Sequence, residues 1–119
     1  SFTNAQTKGR DSRRKADLEA IKKALELFKQ DTIGQYYYPI NPYSGSLAPT
    51  YIKTMPQDPK TPANYYYWNN GCTGSLCSGE YRLIAQLENI NDPQIASSKL
   101  QCPDPGGLGY SQYAYVVCP

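Results

Sequence analysis

Four cysteines and the absence of histidine limit the chemistry available to this chain. A Cys–His catalytic dyad is excluded, which leaves a Cys-only zinc site, free thiols or two disulfides. Cys72 and Cys77 are separated by four residues and Cys102 and Cys118 by fifteen, and neither is the two-residue spacing of structural zinc sites. We expect disulfides within these two pairs, because each closes a segment containing glycine without crossing the other. Disulfides indicate an oxidising compartment, whereas reduced or metal-bound cysteines remain the alternative.

The acidic residues after residue 57 are scattered along the sequence. They do not pair at the spacing of an acid–base couple or a calcium loop, so we interpret them as solvated surface carboxylates. These residues are Asp58, Glu80, Glu88, Asp92 and Asp104. Since the chain also lacks a glycine-rich phosphate loop, we predict no catalytic residues, no metal ligands and no cofactor, and hence a protein that is not an enzyme.

Basic residues are concentrated near the N-terminus, although the net charge is only +2. Five of them form a predicted basic cluster: Lys8, Arg10, Arg13, Arg14 and Lys15. A local excess of positive charge can bind nucleic acid or anionic lipid head groups, and we treat these residues as a possible interaction site. The alternative is a solvated helix face that binds nothing.

Hydropathy predicts the elements that position these residues. Apolar residues recur at spacings of three and four among charged ones, which predicts a helix over about residues 8–31, ending near Gly34 as a left-handed cap. A helix of this length is marginal in isolation, so its apolar stripe must pack on something else. Four side chains are expected to pack against a sheet: Leu18, Ile21, Leu25 and Phe28.

The rest of the chain predicts a small sheet after an irregular connection. Residues 35–64 hold six of the ten prolines, which excludes long regular elements there. Strands are expected near residues 65–68, 81–87 and 113–117, within a disulfide-closed region that spans residues 65–119. The predicted fold is therefore α+β: one domain over residues 1–119, with a long N-terminal helix on an antiparallel sheet of three to four strands. The tyrosines could stack on ligands, but core and anchor roles are favoured.

Several segments, taken in order, resemble type IV pilins and the pseudopilins of type II secretion. The first is KGRDSRRKADLEAIKKALELFKQD followed by GQYYYP, similar to the place where the long N-terminal helix of those proteins leaves its apolar half and ends before a Tyr-Pro pair. The next are LAPTYIKTMPQDP, YYYW and YRLIAQLEN, which resemble a Tyr-Ile segment, a Pro-x-Asp-Pro turn and a first sheet strand. Together they cover roughly residues 8–90.

This resemblance implies a pilin-like subunit that assembles as a homo-oligomer in a filament. It also implies a leader, a prepilin peptidase site and an apolar half-helix upstream of Ser1, which agrees with a sequence that lacks a start Met and runs directly into a helical pattern. Such a subunit is held in the bacterial inner membrane before pilus or secretion machinery assembles it at the cell surface. The basic cluster would then meet lipid head groups or acidic residues of a neighbour, and DNA is a further candidate partner.

The cysteines distinguish between members of this family. Cys102 and Cys118 resemble the disulfide that closes the C-terminal loop of many pilins, whereas typical pseudopilins usually lack cysteines and carry an acidic calcium loop. Asp92 and Asp104 are too few and too separate to reproduce that loop, so calcium is not expected. A pilus subunit is therefore favoured, with a secretion pseudopilus subunit and a minor pilin for DNA uptake or adhesion as the alternatives.

Overall fold

The computed structural model describes residues 2–32 and 37–119, so the predicted cap at Gly34 lies outside the described residues. Its elements, in chain order, are α1 (Phe2–Asp31), β1 (Tyr38–Pro39), β2 (Tyr66–Asn69), β3 (Cys72–Thr73), β4 (Leu76–Cys77), β5 (Tyr81–Gln86), α2 (Pro93–Gln101) and β6 (Ala114–Val117). The α+β class and the long N-terminal helix are as predicted. The helix begins earlier than expected, because no proline interrupts the residues before Lys8.

Two small antiparallel sheets follow the helix, where the sequence predicted one. The main sheet has the strand order β2-β5-β6, and its strands lie close to the three predicted segments. In its register, Tyr67 lies opposite Leu83, which in turn lies opposite Val117. The second sheet has the order β1-β4-β3, and its two-residue strands are too short to leave a pattern in the sequence.

Helix α2 was not predicted, and it covers part of the outer face of the main sheet. Asp92 is its N-cap and accepts a hydrogen bond from Gln94 N at 2.9 Å, and Pro93 occupies the first helical turn. The hydroxyl of Ser98 on this helix donates to Ile95 O at 2.9 Å and accepts a hydrogen bond from Val116 N of β6 at 3.1 Å. The Asp-Pro pair was therefore a start signal that the sequence interpretation did not use.

The core lies between α1 and the inner face of the main sheet. The side chains of Leu18, Ile21 and Leu25 are completely buried there, and Phe28 packs at the edge of the core with its ring centroid 5.7 Å from that of Tyr51. All four predicted packing residues therefore contact the core. Strand β5 is buried on both faces, because Ile84 on its outer face packs in a second cluster with Cys102, Ala114 and Val116.

The structure contains both predicted disulfides. Cys72 and Cys77 join β3 to β4, and Cys102 and Cys118 join the end of α2 to the end of β6. Two disulfides are compatible with an extracellular protein. Within residues 2–32 and 37–119, no helix has both the length and the hydropathy needed to cross a membrane.

Candidate functional site

The predicted basic cluster lies where α1 meets the rest of the chain, hereafter the β domain (residues 37–119). Arg10 and Arg14 project from α1 into a group of carboxylates supplied by both parts of the molecule. We call this group the ion-pair cluster. Its members are three cations and three anions, with no net charge: Arg10, Arg14, Lys60, Asp11, Asp58 and Glu88.

Arg14 is the centre of the ion-pair cluster, with only 3% of its side chain exposed. Its Nε and Nη2 donate to the two carboxylate oxygens of Asp58 at 2.7 and 3.0 Å, a bidentate geometry. Its Nη1 donates to Asp11 Oδ1 at 2.8 Å and to Glu88 Oε2 at 2.7 Å. A buried guanidinium is tolerated only when it is paired and hydrogen-bonded in this way.

Arg10 forms the second bidentate pair of the cluster. Its Nε and Nη2 lie 2.6 and 2.8 Å from the two carboxylate oxygens of Glu88. Lys60 Nζ approaches the same carboxylate at 3.4 Å from the exposed side. Glu88 therefore receives hydrogen bonds from two arginines one helical turn apart, which fixes both the position and the rotation of α1 on the β domain.

The carboxylates also hold the backbone of the β domain. Asp58 Oδ1 accepts from the backbone N–H groups of Lys60 and Thr61 at 2.9 and 3.1 Å. Asp11, on α1, accepts from the backbone N–H groups of Glu88 and Asn89 at 2.8 and 3.0 Å. The ion-pair cluster thus joins α1 to the turn at residues 58–61 of the irregular connection and to the residues that follow β5.

These contacts correct the interpretation of the acidic residues as solvated surface groups. Asp58, Glu88 and Asp92 all bind cations of α1, the last through Lys15. The interpretation fits Glu80 better, whose side chain is 62% exposed beside Arg82. Asp104 is exposed but accepts three backbone hydrogen bonds within its own loop.

Ionisation in the cluster is shifted toward the charged forms. The hydrogen bond from Arg14 lowers the pKa of Asp58 to about 2, and the hydrogen bond from Arg10 lowers the pKa of Glu88 below its ordinary value. The hydrogen bond to Asp58 raises the pKa of Arg14. All three groups are therefore charged across the physiological range, and the cluster is a structural contact.

The other predicted basic residues have different environments. Lys15 Nζ lies 2.5 Å from Asp92 Oδ2 and 5.9 Å from the centroid of the Tyr115 ring. Arg13 forms an ion pair with Asp17 on the same helix at 2.9 Å, with 64% of its side chain exposed. Lys8 is exposed. Three of the five basic residues, Arg10, Arg14 and Lys15, thus hold the β domain, and the positive charge available to an external partner is smaller than the sequence suggested.

Tyrosine hydroxyls bind two further carboxylates of α1, those of Asp17 and Glu26. Tyr65 donates to Asp17 Oδ2 at 2.6 Å, and Tyr38 and Tyr81 both donate to Glu26, at 3.0 and 3.2 Å. Burial raises the pKa of each of these three phenols, so they remain protonated donors. These tyrosines therefore have core and anchor roles.

The sequence interpretation did not identify the helix carboxylates as docking residues. A signal was present, because Asp11 and Arg14 continue the spacing of three and four set by Leu18, Ile21 and Leu25. The stripe that contacts the β domain is thus one helix face that changes from charged to apolar along its length. Within the described residues, no group of three or more His, Cys, Asp and Glu side chains is placed to hold a metal ion.

Comparison with protein-family models, with curated proteins and with solved structures finds no match for this chain. Function is therefore inferred from the contacts, burial and charges of its own residues. The feature that bears most on function is the long helix α1, which is fixed to a domain containing two disulfides.

Proposed function

We propose that this chain is a structural subunit of a type IV pilus or a similar surface filament, and that it acts by helical polymerisation without catalysis. The observation that carries the proposal is the arrangement of α1, a helix of 30 residues. Residues 11–28 dock along the β domain, whereas most side chains of residues 3–9 are exposed. At 1.5 Å per residue the helix is about 45 Å long, which suits an axial element carrying a domain on one side.

The docking contacts support a subunit that transmits load. A filament under tension pulls on its axial helices, so each domain must stay fixed to its helix. Here the helix is held by directional contacts, the bidentate pairs of Arg10 and Arg14, and by the burial of apolar side chains such as Ile21. Sliding α1 by one turn would break both kinds of contact together.

The exposed face of α1 suits close packing against a second copy. Small residues recur on this face at spacings of three and four: Ala5, Gly9, Ser12, Ala16 and Ala20. Short side chains allow the axes of two helices to approach more closely than bulky ones do. In the proposed filament this face lies toward the axis and the β domain lies outward. The apolar half-helix implied by the pilin resemblance would continue the axial core and hold the subunit in the inner membrane before assembly.

DNA binding gains less support from the structure than filament formation does. Ion pairs with the β domain occupy Arg10, Arg14 and Lys15, so within the predicted basic cluster DNA could be held only by Lys8 and by Arg13, which also pairs with Asp17. The affinity of nucleic-acid binding grows with the number of phosphates neutralised, and these two members of the cluster supply little.

The proposal is tested by shearing surface filaments from the native cells and measuring peptides of this chain by mass spectrometry. Enrichment in the sheared fraction over the membrane fraction is expected for a major filament subunit. Detection in the membrane fraction alone would contradict it and indicate a secretion pseudopilus subunit or a minor subunit.

Lysine acetylation of the sheared filaments tests the packing itself. Lys8 and Lys23 on α1 are exposed in the single subunit, as are Lys53 and Lys60 on the connection. We expect Lys8 and Lys23 to be acetylated in dissociated subunits and protected in filaments, with Lys53 and Lys60 labelled in both. Equal labelling of all four lysines in filaments would show that α1 does not pack against a neighbour.

A further inference from the structure

The two disulfides differ in the solvent exposure of their cysteine residues. Cys72 is exposed, whereas its partner Cys77 has no exposed surface. Cys102 is 4% exposed in the outer core cluster, and Cys118 is partly buried against the same cluster. An attacking thiolate must reach one sulfur of a disulfide, so access favours the Cys72–Cys77 bond and directs attack to Cys72.

The buried sulfur of this pair also has a hydrogen-bond donor. Asn69 Nδ2 lies 3.2 Å from Cys77 Sγ. The same amide nitrogen lies 3.3 Å from Pro39 O and 3.1 Å from Ile40 O, which hold it in place. Because thiol–disulfide exchange is faster when the departing thiolate is stabilised, this donor makes Cys77 the better leaving group.

We propose that Cys72 is a thiol-exchange site whose partner is a small thiol or a dithiol of the oxidising compartment. The incoming thiolate uses its electron pair to form a new S–S bond with Cys72 Sγ. The Cys72–Cys77 bond breaks, and its electron pair leaves on Cys77 Sγ as a thiolate that then takes a proton from solvent. With a dithiol, the second thiol attacks the mixed disulfide, so the dithiol is oxidised and Cys72 and Cys77 are both reduced.

Opening this bond would loosen one part of the molecule and leave the other intact. Strand β4, which contains Cys77, pairs with β1 at Tyr38 and Pro39, and Ser75 O accepts from Ile40 N at 2.9 Å. The small sheet therefore holds the segment that follows α1. The main sheet adjoins this hairpin through Asn69, but its strands β2, β5 and β6 pair with one another, and the Cys102–Cys118 disulfide beside β6 is separate.

The proposal is tested on the folded chain with graded concentrations of glutathione. Free thiols are blocked with iodoacetamide, and the sample is divided. One half is digested without reduction to locate the glutathione adduct, and in the other half the remaining disulfides are reduced and blocked with N-ethylmaleimide; peptides of both are measured by mass spectrometry. We expect Cys72–Cys77 to open at a glutathione concentration about tenfold below that needed for Cys102–Cys118, with the glutathione adduct on Cys72. Simultaneous opening, the reverse order or an adduct mainly on Cys77 would overturn the proposal.

Asn69→Asp tests the role of the donor, because aspartate keeps the size of the side chain and cannot donate when ionised. Asn69→Asp loses its contacts with Pro39 O and Ile40 O as well as the one with Cys77 Sγ, and it places a carboxylate beside the departing thiolate, so opening of Cys72–Cys77 is expected to slow about fivefold. Asn64→Asp is the matched control, since it adds the same charge at an exposed position that contacts Gln57 and no sulfur. An unchanged or faster rate in Asn69→Asp would refute the leaving-group role. Equal slowing in both variants would refute it as well, because charge alone would then explain the effect.

Discussion

The two halves of α1 dock on the same domain with different chemistry. In residues 18–28, completely buried apolar side chains such as Ile21 and Leu25 make the contact. In residues 10–17, the contact is made by Arg14 and its carboxylates, and Arg14 is buried almost as deeply as those apolar residues. One face of α1 is therefore buried along both halves, but its side chains are charged in the first half and apolar in the second.

The two halves of α1 therefore contribute differently, one mainly to the free energy of folding and the other to the position of the helix along the β domain. Burial of apolar surface is non-directional and supplies most of the favourable free energy, so the apolar half would tolerate small shifts of the helix. Each guanidinium, in contrast, needs its carboxylate at one position, and a misplaced charge would remain buried without a partner. We infer that the apolar half holds α1 on the β domain and that the charged half sets where along the domain it is held.

The largest effect is expected from breaking the apolar half. Ile21→Ala removes a completely buried side chain from the centre of the core and should lower the free energy of unfolding by about 4 kcal/mol. Urea unfolding followed by circular dichroism measures this. Leu27→Ala, at a position 39% exposed on the same helix, is the control and should cost less than about 1 kcal/mol. Equal losses in the two variants would show that the α1 contact is not a packed core.

A smaller but pH-dependent effect is expected from breaking the charged half. Arg14→Met keeps a long side chain but leaves Asp11, Asp58 and Glu88 without their shared cation. We expect a loss of about 3 kcal/mol at pH 7 in urea unfolding, since like charges then face one another in a partly buried site. Lys60→Met, at the exposed edge of the same cluster, is the control and should change stability by less than about 0.5 kcal/mol.

The stability lost in Arg14→Met is expected to depend on pH in one direction. The folded-state pKa of Asp58, about 2, lies below the ordinary value of 3.8, so its contribution is present above pH 3.8 and is lost as the pH falls through 2. In Arg14→Met, protonation of Asp58 and Glu88 relieves the repulsion between them. The difference in stability between the two proteins should therefore shrink between pH 6 and pH 2, whereas the deficit of Ile21→Ala stays constant. A constant difference for Arg14→Met would contradict a role for charge.

The sequence predicted the apolar half of this face well and the charged half poorly. Leu18 and Ile21 belong to a periodic pattern that is local in the chain, and such a pattern predicts which side chains are buried. Two of the three partners of Arg14 lie 44 and 74 residues away, at Asp58 and Glu88, and no local pattern connects them to it. Arg14 could have been identified as buried from its place in the spacing of three and four set by Leu18 and Ile21, although its residue type suggests exposure.

The same reasoning explains the other differences between prediction and structure. The main sheet was predictable because its strands are long enough to show alternation. The small sheet depends on the hairpin that contains Cys72 and Cys77, whose strands have two residues each. Helix α2 was missed because its burial is limited to Ile95 and Ser98. Its only strong sequence signal was the pair Asp92-Pro93 at its start.

The smallest predicted effect concerns the boundary between the two halves, where Tyr65 donates to Asp17. Tyr65→Phe keeps the buried ring but leaves Asp17 Oδ2 without this donor, and should lower stability by about 1.5 kcal/mol. Because burial raises the pKa of Tyr65, the hydroxyl stays protonated, and the loss should not change between pH 6 and pH 9. Tyr51→Phe is the matched control, because its hydroxyl binds the exposed Asp31, and it should cost less than about 0.5 kcal/mol. If the two variants lose equal stability, the boundary is solvated, and the charged and apolar halves of α1 are separate contacts rather than one continuous buried face.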